Sequence, residues 1–219
     1  MKIVTPKYEI LKCPTAEEAT KFIELIGRTC YQSEDKIDED SHLTFCRKIL
    51  DNGHFPILEF GGDIVVRFTS NRGFMAEITR HRLCSFAVES TRYCDFSKNK
   101  FDKQISVIGL AAEDLLPKKS FDEQLEAMNI YFAAQEEAER AYLKLKALGV
   151  PAEMARGVLP INLKVEMNVK ANLTEWRHIF KLRANRKAHL QMRTLMNDLL
   201  KDLKVKLPLI FDDIKGLEL

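Results

Sequence analysis

The sequence lacks any apolar run long enough to cross a membrane, and residues 1–7 lack the apolar core of a signal peptide. It also lacks internal repeats, low-complexity segments and any composition shift that would mark a linker. Its 219 residues, of which 46% are hydrophobic, are enough to bury a substantial core. We therefore expect one globular domain over residues 1–219, in the cytoplasm and without a membrane partner.

Cysteine is present but follows no recognisable pattern. The five cysteines are an odd number, are widely spaced and include no C-x-x-C pair. Such usage is typical of neither a disulfide framework nor a zinc site, so we expect reduced thiols and no bound metal. The residues are Cys13, Cys30, Cys46, Cys84 and Cys94.

A strong net charge is also missing. The formal charge of +2 is too small for a protein that binds nucleic acid through a general basic surface. The basic character is local instead, which favours a small anionic ligand over a polyanion. We therefore expect a small-molecule substrate and no nucleic-acid partner.

Residues 80–93 form a basic segment in which every permanent cation is an arginine. The arginine fork fits phosphate and carboxylate oxygens two at a time, so the segment indicates an oxygen-rich anion such as a nucleotide. A solvated helix end, with arginines paired to Glu77 and Glu89, explains the charge equally well. Charge alone leaves both interpretations open.

Hydrophobic periodicity predicts strands and helices mixed along the chain, which is the α/β (α+β) class. The strand patterns cover Ile3–Leu11 with a break at Pro6, Ile64–Thr69 and Asn162–Lys170. Capping-box pairs, Thr15 with Glu18 and Ser120 with Glu123, predict the starts of two helices.

Further local predictions concern the candidate site and its surroundings. We expect a helix over 74–83 that carries residues 80–82 at its C-terminal end, followed by an irregular segment over 85–93. Thr174 is the expected cap of a later helix. The tail over 208–219 is expected to lie on the surface, whereas Phe22, Cys30 and Leu43 are expected to face the core.

Residues 80–93 also match a motif. They read Arg-His-Arg, seven further residues, and then Ser-Thr-Arg-Tyr. This arrangement resembles the Arg-His-Arg-x7-Ser motif of the flavin-dependent thymidylate synthases. Other blocks follow in the order that the family shows, so the resemblance covers nearly the whole chain.

Three of those blocks are well defined. Residues 53–60 resemble the family's Gly-His-x-(Ser/Thr)-x-(Leu/Phe)-Glu-His block, and residues 151–160 resemble its Ala-Arg-x-Val-Leu-Pro block. Residues 172–178 resemble its Asn-x-x-x-(Trp/Leu)-x-(His/Asn) block. The resemblance implies one domain with a central, mostly antiparallel sheet flanked by long helices.

Four positions depart from the family's pattern. Pro56 stands where a hydroxyl residue is usual, and Phe60 and Lys187 stand where histidine is usual. Val88 replaces a residue that is often polar. These changes remove polar groups near the expected flavin, so they bear on cofactor contacts and on the reaction outcome.

The resemblance implies a dUMP site in which Arg183 is the catalytic residue and Arg156 reaches the nucleotide of a neighbouring subunit. The implied substrate-binding residues are Glu77, Arg80, Glu89, Ser90, Thr91, Arg92, Arg156 and Arg183. For Ser90 the alternative is a hydroxyl that only forms a turn.

The resemblance also implies a bound FAD, close to the Arg-His-Arg motif and to the blocks over 53–60 and 172–178. The implied residues are Ser33, His54, Pro56, Arg80, His81, Arg82, Val88, Asn172, Leu173, Thr174 and His178. Two alternatives stay open, because Ser33 also suits a helix-ending turn and His54 also suits a structural role.

The implied activity is reductive methylation of dUMP to dTMP by a homotetramer. Methylenetetrahydrofolate would supply the carbon, and NADPH would reduce the flavin that donates hydride. One alternative is a related enzyme with a variant reaction at uracil C5, such as hydroxymethylation, and another is a nucleic-acid-binding module. Cys84 lies beside several cations that would favour thiolate, but cysteine more often only packs.

Overall fold

The computed structural model describes residues 1–216, and this part of the chain alternates between strands and helices. The strands are β1 (Lys2–Val4), β2 (Lys7–Lys12), β3 (Asp63–Asn71), β4 (Ser85–Val88), β5 (Ser106–Ile108) and β6 (Lys164–Asn172). The α-helices are α1 (Ala16–Thr29), α2 (Ser41–Asp51), α3 (Arg72–Ile78), α4 (Ala112–Leu115), α5 (Phe121–Ala147), α6 (Ala152–Ala155), α7 (Leu173–Arg183), α8 (Leu190–Lys206) and α9 (Pro208–Phe211).

Two sheets result. The larger is antiparallel and has the order β2-β3-β6-β4. The smaller pairs β1 with β5 in parallel, with Ile3 opposite Val107. The predicted α+β class is therefore confirmed, and the expected break at Pro6 separates β1 from β2 because proline has no N–H to donate.

The described chain divides into two compact units. Unit 1 comprises residues 1–7, 68–77 and 88–167, and unit 2 comprises residues 8–67, 78–87 and 168–216. Because β3 and β6 each contribute residues to both units, the division does not follow the order of the chain.

The core of unit 1 forms around Tyr142, which is fully buried on α5. Its hydroxyl accepts a hydrogen bond from the backbone N–H of Phe96 at 3.3 Å, so the polar end of the ring is satisfied. Asn162 adds a buried polar network, donating to the carbonyl of Ile108 at 2.8 Å and to Gln135 at 2.9 Å. Buried polar groups partnered in this way hold connecting segments in fixed positions.

The core of unit 2 forms around α7. Trp176 is fully buried, and its indole N–H donates to the carbonyl of Ile64 at 3.1 Å. Its ring lies 5.7 Å from that of Phe180, which in turn meets Phe211 of α9 edge-on at 5.7 Å. Burial of such large aromatic side chains dominates the hydrophobic contribution to stability.

Two helix starts follow the capping-box prediction, and a third differs. Thr15 with Glu18 and Ser120 with Glu123 form complete capping boxes. The cap of α7 is Asn172 instead of Thr174, since its side-chain oxygen accepts from the N–H of Glu175 at 2.8 Å. The Thr174 hydroxyl donates elsewhere, to the carbonyl of Phe55 at 2.9 Å.

Three other local predictions were wrong. The helix expected over 74–83 is α3, which ends at Ile78, so residues 80–82 follow it in a turn. The segment expected to be irregular contains β4. The tail expected on the surface forms α9 and buries Ile210 and Phe211, whereas its last three residues, 217–219, lie outside the described range.

The predicted apolar stripes were partly wrong as well. Phe22, Cys30 and Leu43 are exposed, although their neighbours Ile23 and Cys46 are fully buried. The buried faces of α1 and α2 are therefore narrower than the distribution of their apolar residues predicts. Within residues 1–216, the helices include none with the length and apolar character of a membrane span.

An ion pair fixes the C-terminal segment to α7. Arg177 is almost fully buried and donates to both carboxylate oxygens of Asp213 at 2.6 Å, and also to the carbonyl of Ile210. Its guanidinium also lies over the ring of Phe55 at 4.8 Å. The hydrogen bond from Arg177 is the main cause that lowers the pKa of Asp213, and burial opposes it.

We predict that Asp213→Asn lowers the free energy of unfolding at neutral pH by about 1–2 kcal/mol, because a half-exposed bidentate pair contributes less than a buried one. The pKa of Asp213 is lowered on folding, so its contribution is present above the unfolded pKa and is lost as the pH falls through the folded pKa. Urea titrations at neutral and acidic pH should therefore show that the difference in the free energy of unfolding between the wild type and Asp213→Asn becomes smaller on acidification. Asp198→Asn, at an exposed pair with Lys201, is the control and should change little; an equal loss in both variants would contradict the prediction.

Candidate functional site

The most unusual side-chain arrangement in unit 2 surrounds His81. The ring is buried, and its Nδ1 lies 3.0 Å from a carboxylate oxygen of Glu175. On its other side, the Nε–H of Arg183 donates to His81 Nε2 at 3.1 Å. The ring of His178 meets the His81 ring edge-on, 5.5 Å away. One of the predicted flavin-binding histidines is thus in direct contact with the predicted catalytic arginine.

These contacts define the protonation of His81. Arginine can only donate, so Nε2 must present its lone pair, and the proton of the neutral ring lies on Nδ1, facing the carboxylate. Burial is the main cause that lowers the pKa of His81, with the charge of Arg183 acting in the same direction and Glu175 opposing it. His81 is therefore neutral at physiological pH.

The chain positions this group through α7 and the turn after α3. Asn172 caps α7, which places Glu175 in the first turn, His178 in the second and Arg183 at the last residue. His81 is held by its backbone N–H, which donates to the carbonyl of Ile78 at 3.1 Å. Arg183 is partly buried.

His81, Glu175 and His178 also have potential metal-ligand atoms within 4.8 Å of one another. Both nitrogens of His81 already have hydrogen-bond partners, and one of those partners is a guanidinium. A fixed cation beside the ring disfavours a second cation. We therefore interpret the group as a hydrogen-bonded chain and not as a metal centre.

A cavity of about 650 Å³ in unit 2 contains two of the predicted flavin-binding residues, Ser33 and His54. Three cations, Arg28, Lys36 and Lys48, line it as well. The lining also includes the rings of Tyr31 and Phe45, several hydroxyl groups and one carboxylate, Asp38. The cations, hydroxyls and aromatic rings fit an anionic dinucleotide such as FAD, which requires partners for phosphates, ribose and ring.

The other predicted flavin-binding residues differ in exposure. Arg80, Arg82 and Pro56 are exposed in unit 2, whereas the side chain of Leu173 is fully buried in the core. Leu173 can therefore contact a cofactor only through its backbone. Val88 is the one member of the predicted flavin set that belongs to unit 1.

The departures from the family's pattern lie in accessible places. Phe60 is half-exposed and lines a second cavity of unit 2 together with Phe22 and Leu25. Lys187 is also exposed, in the segment between α7 and α8. An aromatic ring at position 60 makes that cavity more apolar than a histidine would.

Unit 1 contains most of the residues predicted to bind the nucleotide. Arg156 follows α6, and its Nη1 donates to the hydroxyl of Thr91 at 3.2 Å. Arg92 pairs with Glu153 at 3.2 Å, while its backbone N–H donates to the Ser90 hydroxyl oxygen at 3.3 Å. Residues 90–92 of the motif and the block over 151–160 therefore meet in one group of side chains.

Arg72 is a member of this group that sequence reasoning missed. Its Nη1 is buried and has no hydrogen-bond partner among residues 1–216. Burial, followed by the charge of Arg156, lowers the pKa of Arg72, whereas Glu89 raises it. Two neighbouring guanidiniums with an unsatisfied donor favour an added anion. In the sequence, its position beside Asn71 and Gly73 is typical of a turn and indicates no ligand.

The alternative interpretation of the arginines is partly contradicted. Glu89, which was a candidate partner for the motif's arginines, pairs with Lys164 at 2.9 Å. Its carboxylate also accepts from the backbone N–H of Glu166 at 3.1 Å. Glu89 is therefore engaged by another strand and does not neutralise Arg92.

Cys84 has the opposite electrostatic environment to the one its sequence neighbours suggest. It is half-buried in unit 2, and burial, with the Glu175 carboxylate adding to it, raises the pKa of its thiol to about 12. A thiol with so high a pKa is almost entirely protonated at neutral pH and is a poor nucleophile.

Comparison with known proteins identifies the family of this chain. A family model described as "Thymidylate synthase complementing protein" matches residues 13–209. The chain belongs to this family. The match includes every residue of the predicted flavin and nucleotide sites.

Relatives in bacteria and in a bacteriophage have similar sequences over most of their length. A flavin-dependent thymidylate synthase of Corynebacterium aurimucosum is 31% identical over 208 residues, which cover 90% of this chain and 81% of the relative. That of Mycobacterium marinum is 28% identical over 210 residues, covering 91% and 81%. A probable flavin-dependent thymidylate synthase of Mycobacterium phage D29 is 29% identical over 210 residues, covering 91% and 85%.

Solved structures share the fold. A UMP/dUMP methylase of Streptomyces cacaoi bound with 5-bromo-dUMP superimposes with a TM-score of 0.80 at 19% identity, covering 97% of this chain and 96% of that one. The same enzyme bound with 5-bromo-UMP gives 0.78 at 16% identity, covering 97% and 95%. The expected fold of the flavin-dependent thymidylate synthases is confirmed.

The environment of Cys84 gives a prediction about its reactivity. Cys84→Ala should leave unchanged the number of thiols that react rapidly with a disulfide reagent at mildly alkaline pH, because the native thiol stays protonated there. Cys30, which is exposed, provides the positive control, since Cys30→Ala should remove one rapidly reacting thiol. Loss of a rapid phase in Cys84→Ala would show that its thiol is activated.

Proposed function

We propose that this protein is a flavin-dependent thymidylate synthase that methylates dUMP to dTMP. Methylenetetrahydrofolate is the proposed one-carbon donor, and NADPH is the proposed reductant of FAD. The single observation that carries the proposal is the family match over residues 13–209. The side-chain groups around Arg156 and His81 supply the chemistry that the reaction requires.

The phosphate of dUMP is assigned to the arginine group of unit 1. Arg92 and Arg156 offer planar forks of donors, and the partly buried Arg72 has a buried terminal nitrogen without a hydrogen-bond partner among residues 1–216. A phosphate dianion would offset the mutual repulsion of Arg72 and Arg156 and satisfy that nitrogen. Thr91 and Ser90 provide hydroxyls beside the same arginines.

Activation of the uracil ring is assigned to Arg183. Negative charge develops on the ring carbonyls when C5 becomes nucleophilic, and a positioned guanidinium stabilises that charge. Neutral His81 orients the guanidinium by accepting its Nε–H at 3.1 Å. Cys84 has no role as a nucleophile in this scheme, because its thiol stays protonated.

The flavin is assigned to unit 2. The cavity with Ser33 and His54 would hold part of the cofactor, with Arg28 and Lys48 available to its phosphates. Bound and reduced, FAD supplies the hydride that no protein side chain can donate. The protein's contribution is to bind and orient the cofactor and to limit the access of water.

The proposed assembly is a cytoplasmic homotetramer in which subunits share active sites, as the family resemblance implies. Light scattering should then give about four times the 25.2 kDa mass of one chain. A monomer with full activity would refute the shared site without affecting the proposed reaction.

The activity can be tested by chromatography of the products from dUMP, methylenetetrahydrofolate, NADPH and FAD. We expect dTMP, and we expect its formation to stop when any one of the four is omitted. A 5-hydroxymethyl product would support the variant reaction instead. Retention on immobilised DNA or RNA, with no turnover and no flavin spectrum, would support a nucleic-acid-binding module.

The arginine group gives a prediction about affinity. Arg156→Ala and Arg92→Ala should each raise the dissociation constant of dUMP roughly tenfold to hundredfold, because each removes a charge-assisted contact. Calorimetry measures this directly. Arg140→Ala, which removes an exposed arginine that pairs with Glu137 of the same helix, is the matched control and should bind dUMP normally. Equal affinities in all three variants would show that Arg92 and Arg156 do not contact the nucleotide.

Arg183 gives a prediction about rate. Arg183→Lys keeps the charge but loses the planar fork and the Nε–H that His81 accepts. We expect the variant to bind flavin normally and to form dTMP at least about tenfold more slowly at saturating dUMP. Single-turnover kinetics measure that step, and a normal rate would assign Arg183 a purely structural role.

A further inference from the structure

We infer that Glu175 is a positioning residue for Arg183 and acts through the imidazole of His81. The geometry is a continuous chain in which the Glu175 carboxylate accepts from Nδ1 of His81 at 3.0 Å, and Nε2 accepts from Arg183 Nε at 3.1 Å. The catalytic consequence rests on the proposed function, whereas the hydrogen-bonded chain itself does not.

The burial of His81 and Glu175 makes this chain specific. The side chains of His81 and Glu175 are 3% and 6% exposed, so water does not replace either partner freely. Neutral histidine has one donor and one acceptor, and the carboxylate can only accept. Glu175 therefore selects the tautomer with its proton on Nδ1, which leaves Nε2 free to accept from Arg183.

The opposite tautomer would break the chain at both ends. With the proton on Nε2, the histidine would direct an N–H towards the Nε–H of Arg183, and a lone pair towards the carboxylate. Both contacts would become repulsive, and Arg183 would lose the acceptor that fixes its guanidinium plane. A carboxylate behind a histidine fixes the tautomer in the same way in other catalytic sites.

Protonation of His81 would have a related effect. The ionisable groups that act on the ring are Glu175, His178 and Arg183, all from α7. As the pH falls through the folded pKa of His81, which lies below its ordinary value, Nε2 becomes a donor and the contact with Arg183 is lost. The orientation of Arg183 should therefore fail on the acidic side.

Sequence comparison alone does not suggest this role. Glu175 lies at a position that the family's Asn-x-x-x-(Trp/Leu)-x-(His/Asn) block leaves unspecified, and its first visible function is to donate its backbone N–H to Asn172. Only the fold brings its carboxylate to a histidine 94 residues away in the chain.

The first test is the tautomer itself, read by long-range ¹⁵N–¹H NMR of the histidine rings in the full-length protein, with His81→Asn identifying the signal. We expect a protonated Nδ1 and an unprotonated Nε2 in His81. A protonated Nε2 would overturn the inference. Addition of Zn²⁺ should leave the His81 signals in place, and stoichiometric shifts of both His81 and His178 would overturn it in favour of a metal site.

The second test separates positioning from folding. Glu175→Ala should lower kcat about tenfold while the dissociation constant of dUMP changes less than about threefold, since the phosphate contacts remain. Glu175→Gln keeps an acceptor for Nδ1 and should recover most of the rate. Glu139→Ala, which removes a partly buried carboxylate that accepts from the backbone N–H of Ile105, is the control and should leave kcat unchanged per folded molecule.

The outcomes distinguish this inference from the proposed function. Equal kcat in Glu175→Ala and wild type, per flavin-loaded molecule, would overturn the positioning role. Failure of the wild-type protein to form dTMP, with the expected tautomer observed, would refute the proposed function and leave the hydrogen-bonded chain intact. If Glu175→Ala does not fold, the tautomer of the wild-type protein and the kcat of Glu175→Gln still test the positioning role. A kcat of Glu175→Gln as low as that of Arg183→Lys would contradict the expected recovery.

Discussion

The hydrogen bond from the backbone N–H of Glu175 to the side chain of Asn172 fixes where α7 begins, directly after β6. That starting point directs Leu173 and Trp176 into the core of unit 2. It also places Glu175 beside His81 and Arg183 at the end of the helix. One capping interaction thus determines both the packing of the aromatic core and the geometry of the proposed catalytic arginine.

The two groups of functional side chains solve different electrostatic problems. The arginine group of unit 1 places Arg156 close enough to Arg72 to disfavour the charge of Arg72, an arrangement that an anion would relieve. The chain in unit 2 keeps His81 neutral between a carboxylate and a guanidinium, so that the neutral ring can accept a hydrogen bond from Arg183. The clustered positive charge of the arginine group suits phosphate binding. The fixed orientation of the Arg183 guanidinium suits the stabilisation of charge that develops during the reaction.

Sequence reasoning was most successful where local chemistry is sufficient. The capping boxes at Thr15 and Ser120, the break at Pro6 and the family's motifs all depend on neighbouring residues. It failed where distant contacts decide: the cap of α7 moved to Asn172 because Thr174 bonds a carbonyl 119 residues away. Arg72 and Glu175 were missed for the same reason, since their significance lies in partners that only the fold supplies. The predicted flavin and nucleotide residues remain predictions that ligand binding must test.

The account depends most directly on dTMP being the product of hydride transfer from flavin at this site. A single turnover measures this: protein carrying reduced FAD is mixed with dUMP and methylenetetrahydrofolate without NADPH, and flavin oxidation is followed alongside product. The account predicts that each flavin oxidised yields one dTMP and one tetrahydrofolate, at matching rates. Flavin oxidation without dTMP, or formation of a 5-hydroxymethyl product while the flavin stays reduced, would contradict it.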